Sequence, residues 1–252
     1  MKVKNNKYYP ALVAAGTALL IIAAPWLAYI VFLVPAGLLI LLSSDEHMGG
    51  NKLLLKSAYV LTALLAGFGI SALINNGNMA AALASALTVS LAGITYLFFI
   101  KYNKNKLGQF TFLIFYLGFQ YLQIKFFAPL HPVFLADAFQ SSFGWTHYTG
   151  YLGIEVWIIW IGLNLYTAFF RVERIVIPSL IFAALIFLGG ILIADEMQQN
   201  AIGKIQMLEL YSTGSASKRY QENAEWLART AAWVSALMIV LTFVSFKTKK
   251  SR

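Results

Sequence analysis

Asn78 to Ile100 reads NMAAALASALTVSLAGITYLFFI, an apolar run without one charged side chain. A helix needs about twenty such residues to cross a hydrocarbon slab ~30 Å thick, and this run supplies them. The pattern is not confined to that stretch. Apolar segments recur at 8 to 24, 26 to 43, 53 to 75, 78 to 100, 109 to 127, 150 to 170, 175 to 194 and 230 to 246, leaving no room for a separate soluble domain. The whole chain is 60% hydrophobic and 12% charged, with a mean hydropathy of +0.70. Composition of that kind makes a bilayer the natural solvent. The expected fold is all-α, a polytopic transmembrane bundle of about eight helices forming a single domain over residues 1–252.

The first two segments are short and share the break Ala24-Pro25-Trp26, which suits either a tight helical hairpin or one long kinked helix. Charge separates the two. With eight crossings, both tails and the even-numbered connections lie on one side. That side holds Lys2, Lys4, Lys7, Lys52, Lys56, Lys101, Lys104, Lys106, Arg171, Arg174, Lys247, Lys249, Lys250 and Arg252 out of 19 basic residues. Only Lys125, Lys204, Lys218, Arg219 and Arg229 remain for the other. Basic residues accumulate on the cytoplasmic face, so the expectation is a hairpin, eight crossings and both termini in the cytoplasm. The lysine-rich start is not expected to be a cleaved signal peptide, because no small-residue cleavage site precedes Pro25 and another span follows it.

The formal net charge of +9 would suggest nucleic acid in a soluble protein. Here the basic residues sit between apolar runs, where anionic lipid headgroups are the expected partner and nucleic acid is not. The absence of cysteine excludes disulfides, thiolate metal sites and a cysteine nucleophile within the chain. Small residues inside the third and fourth segments, Gly67, Gly69, Ser71, Ala80, Ala84, Ala86 and Gly93, suit close helix packing. Aromatic residues near segment ends, Tyr8, Tyr9, Phe98, Phe99, Tyr102, Trp226 and Trp233, suit interfacial anchoring.

Two connections on the far side are long enough to hold a site. The first, Phe127 to Thr149, carries His131, Asp137, Gln140, Ser141, Ser142, Trp145 and His147, whose spacings form no metal-ligand pattern. No metal and no cofactor are expected. The second runs from Asp195 to Arg229: Met197 to Tyr211 has the apolar spacing of a helix lying on a membrane, residues 212–217 read as a flexible link, and Lys218 to Leu227 as a polar helical lead into the last span.

Polar groups inside apolar segments cost free energy unless partnered, which makes them the natural place to seek function. Glu155 stands about a turn and a half into the sixth segment, where hydration at the interface is expected. It suits a lipid-headgroup contact or a proton-handling acid, although a carboxylate paired with a neighbouring helix or reaching the interface is the plainer reading. Asn164, Gln120 and Gln123 are expected to supply hydrogen bonds between helices, each worth ~0.6 kcal/mol on average in membranes.

Trp145-Thr146-His147-Tyr148-Thr149-Gly150-Tyr151-Leu152-Gly153-Ile154-Glu155-Val156-Trp157, continued as Ile158-Ile159-Trp160-Ile161-Gly162-Leu163-Asn164, resembles a segment of bacterial apolipoprotein N-acyltransferases. In that family an aromatic approach passes through Thr-Gly-x-x-Gly into a span ending in Asn. Pro25-Trp26 followed by Phe32-Leu33-Val34-Pro35 looks like the family's opening helical pair, and the fourth, fifth and last segments follow its order. Members of Bacteroidetes type are the most similar. The departure is the catalytic half. The family carries a periplasmic nitrilase-like domain between the seventh and eighth spans, with a cysteine that holds the acyl group as a thioester. Here that interval is only Asp195 to Arg229, too short for such a domain, and a thioester acyl-enzyme has no nucleophile.

The resemblance therefore implies a membrane half without its catalyst, not an enzyme on its own. Such a protein would be a non-catalytic pseudoenzyme of the inner membrane that binds lipid, lipoprotein or a partner's transmembrane helices, as a subunit of an envelope complex. Thr149, Gly150, Gly153, Glu155, Trp157 and Asn164 are its candidate binding residues. The alternative is the membrane subunit of a split lipoprotein N-acyltransferase that acts with a separate nitrilase-like protein. A solute transporter would want broken helices paired between two halves, and only Pro25 and Pro178 offer such breaks. The charge division gives a direct test of the eight-crossing arrangement. Reporter fusions after Lys104 and Lys249 are expected to report cytoplasm, and fusions after Ser142 and Ser215 the opposite side; a non-cytoplasmic signal at Lys104 sinks it.

Overall fold

Pro10 sits in the first turn of α1 (Tyr9–Ala23), where a missing backbone N–H costs nothing. Pro25 then forbids a continuous helix: the chain turns through Ala24–Leu27, with the Trp26 and Leu27 N–H groups both donating to the Ala23 carbonyl at 3.0 Å. One 3-10 turn, Ala28–Phe32, leads into α2 (Leu33–Leu42). The two helices pack on each other, with Gly37 facing Thr17, so the break makes a hairpin.

The computed structural model describes residues 8–43, 50–75, 77–103, 109–126, 135, 146–171, 175–201 and 216–250. The chain continues as α3 (Gly50–Ile74), α4 (Met79–Tyr102), α5 (Phe110–Phe126), α6 (Thr146–Tyr166) closed by a π turn Thr167–Arg171, α7 (Ile177–Ala201) and α8 (Ala216–Lys250). The described residues hold eight α-helices and no strand, one helix for each apolar run. Four helices are long and apolar enough to cross a membrane, over Leu53–Ile74, Met79–Tyr102, Leu152–Phe170 and Arg229–Phe246. Tyr9–Ala23, Ala28–Leu42 and Ile177–Ile191 are apolar but shorter.

Local chemistry fixes several ends. Asn78 caps α4 by accepting from the Ala81 N–H at 3.2 Å. At the other end of α4, Asn103 clamps onto α8, its Nδ2 donating to Thr242 at 3.1 Å while its Oδ1 accepts from Ser245 at 2.9 Å. Tyr102 meets Phe246 edge-on beside this clamp, 5.2 Å between ring centroids.

Two expectations for the interval after α7 change. Met197–Ala201 prolongs α7, while residues 202–211 of the expected surface helix lie outside the described residues. Ala216 and Ser217, expected in a flexible link, are already helical. The polar lead from Lys218 therefore runs into the last apolar stretch without a break.

The centre of the bundle is α6, which packs on α2, α5, α7 and α8. Of its membrane-length stretch 61% is buried, against 11% for α8, so α8 is peripheral. The approach of α6 to α2 is set by Gly162. A Cβ there would fall 2.7 Å from Pro35 Cβ and 3.0 Å from the Phe32 carbonyl oxygen. Neither atom can move without moving backbone. Gly189 has nothing within 4 Å of the same imagined atom. Gly162→Leu is therefore expected to cost ~1–3 kcal/mol or more through overpacking, read as a lower thermal unfolding midpoint in detergent. Gly189→Leu should leave the midpoint near wild type, and equal effects of the two would show that α6 does not depend on that contact.

Candidate functional site

Successive residues of α5 at one-turn spacing place Tyr116, Gln120 and Gln123 on one face, and all three are buried. That face is the bundle's polar seam. Tyr116 donates its hydroxyl hydrogen to Glu155 Oε2 on α6. Gln123 donates from Nε2 to Ser85 Oγ on α4 at 3.0 Å. Gln123 thus bridges helices as expected. Gln120 does not: with 1% of its surface exposed, neither its carboxamide oxygen nor its nitrogen has a hydrogen-bond partner among the described residues.

Glu155 is 0% exposed, which corrects the expectation of a hydrated interfacial acid. α6 begins at Thr146, ahead of the apolar run, so Glu155 stands nine positions along it. That is ~13 Å from the helix start, and α5 covers it. A buried carboxylate needs donors, and the phenol of Tyr116 is one of those it has.

Trp157, a candidate binding residue, is part of the core, 5% exposed. Its indole N–H donates to the Ile186 carbonyl of α7 at 3.0 Å. The ring stacks on Phe187, 6.2 Å between centroids and 6° between planes, and meets Phe32 edge-on at 4.8 Å. Gly190 makes this possible, because a Cβ there would lie 2.5 Å from the indole. Trp157 therefore fastens α7 to α6, a structural duty that its enrichment at membrane interfaces would not suggest.

Asn164 donates to the Trp160 carbonyl of its own helix at 2.8 Å, where a bond between helices was expected. Together with Gly153, Val156 and Trp160 it forms a half-buried strip along α6. The strip borders α7, where Trp160 meets Phe182 edge-on at 6.1 Å. The indole N–H of Trp160 is enclosed and has no acceptor among the described residues. Trp160 was not singled out by sequence reasoning, although the run that was quoted contains it. Thr149 and Gly150 fall in the opening turns of α6, ahead of the part whose side chains are described.

The candidate residues thus divide. Glu155 joins the α5 seam, Trp157 the α6–α7 joint, and Gly153 and Asn164 the half-buried strip. The His- and Asp-bearing connection from Phe127 to Thr149 lies outside the described residues up to Trp145, apart from Leu135. Among the described residues no group of three or more His, Cys, Asp or Glu side chains comes together to hold a metal. No family model, curated protein or solved structure matches the chain.

The seam makes a quantitative expectation. Tyr116→Phe removes one donor from a buried carboxylate and should cost ~1–3 kcal/mol, seen as a lowered thermal midpoint. Adding Glu155→Leu to that variant should recover part of the loss, because the acceptor is then gone as well. A Tyr116→Phe chain as stable as wild type would mean that the pair contributes nothing to the fold.

Proposed function

We propose that the chain is a non-catalytic, multi-pass protein of the bacterial inner membrane that binds phospholipid along the half-buried strip of α6 beside α7. The observation that carries this reading is the enclosed Trp160 indole N–H without an acceptor. An indole can only donate, so an occupant that reaches it brings an acceptor oxygen. A phospholipid brings ester carbonyls on apolar chains.

The surroundings fit an acyl chain. Ile181, Leu185 and Leu188 form an exposed row on α7 at one-turn spacing, and Phe182 lies against Trp160. Gly153 leaves the strip shallow on the α6 side. Exposed Trp233, Leu237, Val240, Leu241 and Val244 form a comparable row on α8. Rows of this kind on outer helices exceed what a water-soluble monomer exposes, and they support the membrane reading. In this reading all eight helices cross, with both termini in the cytoplasm, as the division of basic residues favours. The short α1, α2 and α5 then require local thinning or tilted neighbours, each at a modest cost.

The resemblance to the N-acyltransferase membrane part points the same way, toward a bundle that receives lipid laterally and would present it to a protein partner in an envelope complex. The chain lacks the thiol for a thioester step, which supports a binding role over catalysis.

The test is retention of phospholipid, measured by native mass spectrometry of the chain released from nanodiscs into mild detergent. Trp160→Phe keeps the ring and removes the N–H. It is expected to lower the retained fraction about fivefold, as loss of one net hydrogen bond implies. Gly153→Leu should lower it by filling the strip. Leu12→Ala, on the exposed face of α1, should change nothing. Unchanged retention in both strip variants, with expression intact, would end the lipid reading.

A further inference from the structure

The strip lies on the outside of α6; the α5 seam lies inside the bundle and is a separate matter. Its middle residue is the anomaly. Gln120 presents one acceptor oxygen and two donor hydrogens, all buried and none partnered. One turn to one side stands Tyr116, bonded to Glu155; three residues to the other stands Gln123, bonded to Ser85 through Nε2 and with its Oε1 buried and unpartnered.

A buried carboxamide left dry costs free energy at both ends, and a second orphaned oxygen one turn away adds to it. The two orphans constrain what would relieve them. A metal cation would serve the oxygens and leave the Gln120 nitrogen unsatisfied. An anion would do the reverse, beside the carboxylate of Glu155. Only a neutral molecule that donates and accepts at once serves both carboxamides, and the enclosed position admits only a small one. Internal water has those properties, and it is retained in proteins where two to four polar groups converge.

We propose that Gln120 and Gln123 on α5 form an internal water-binding site beside the Tyr116–Glu155 pair. Water there accepts from Gln120 Nε2 and donates to the orphaned carboxamide oxygens. It extends the hydrogen-bonded seam from Ser85 on α4 through Gln123 to Gln120, one turn from the Tyr116–Glu155 pair.

The sign of one stability change separates a wet site from a dry one. Gln120→Met keeps the length of the side chain and removes both polar ends. At a dry site it deletes two unsatisfied groups and raises the thermal midpoint in lipid nanodiscs. At a wet site it strips the water of an anchor and lowers the midpoint, by about 3 °C for a chain of this size. A second measurement uses the wild-type chain alone. With glutamine side chains labelled with ¹⁵N, magnetisation transfer from water should reach the Gln120 carboxamide, identified as the signal missing from the Gln120→Met spectrum or, should that variant not fold, from Gln120→Asn. A midpoint equal to or above wild type in Gln120→Met, or no transfer from water to Gln120 in the wild type, overturns the proposal. A lowered midpoint together with transfer supports it.

Discussion

How near α6 can come to its neighbours decides the rest of the bundle. Gly162 lets it lie against Pro35 and the Phe32 carbonyl of α2, and Gly190 of α7 lets the Trp157 ring in on another side. These two approaches hold α6 at the centre, and centrality is what buries Glu155 completely. Were α6 an outer helix like α8, the same carboxylate would face the surroundings and need no phenol. The polar chemistry of the interior is thus a consequence of two missing methyl groups.

An interior so built has strict accounting for polar atoms. Most hydroxyls in the bundle solve the problem locally by donating one turn back along their own helix, as Thr17, Ser90 and Thr88 do at 2.7 to 2.9 Å. Ser235 extends the habit, sharing its hydrogen between Ala231 of α8 and Ile114 of α5. Carboxamides and carboxylates are longer and cannot fold back so easily, so they reach across. Gln123 and Glu155 succeed in that, whereas Gln120 and the Trp160 indole find nothing within the described chain. Among the described residues the unsatisfied atoms therefore gather in two places, the α5 seam and the half-buried strip of α6.

Much of this architecture was legible in the residues alone. Each apolar run became one helix because hydrophobic length is a strong, local signal; Pro25 marks the break between the first two, and the division of basic residues makes that break a hairpin. Gln123 was read correctly as a bridge. Glu155 is not hydrated as its position near the end of the apolar run suggests, because the helices packed around α6 cover it, and that covering is set by residues distant in sequence. Tyr116 escaped notice as one aromatic among many in α5, its role visible only when Glu155 is seen opposite. Trp157 reads from sequence as a binding residue because an indole N–H can serve a ligand and a helix carbonyl equally well. Which carboxamide stays unpaired depends on packing between helices distant in sequence, and no local pattern encodes it.

The clamp of Asn103 on Thr242 and Ser245 has a mechanical side. α8 is one unbroken helix from Ala216 to Lys250, ~52 Å of rigid rod, and the clamp grips it within its last three turns. The rod is also held midway, where Ser235 donates to the Ile114 carbonyl of α5 and Gly118 lets Ala231 and Ala232 come close. Anchored to α4 by the clamp and to α5 by Ser235, α8 splints from outside the two helices that the Gln123–Ser85 bond joins on the inside.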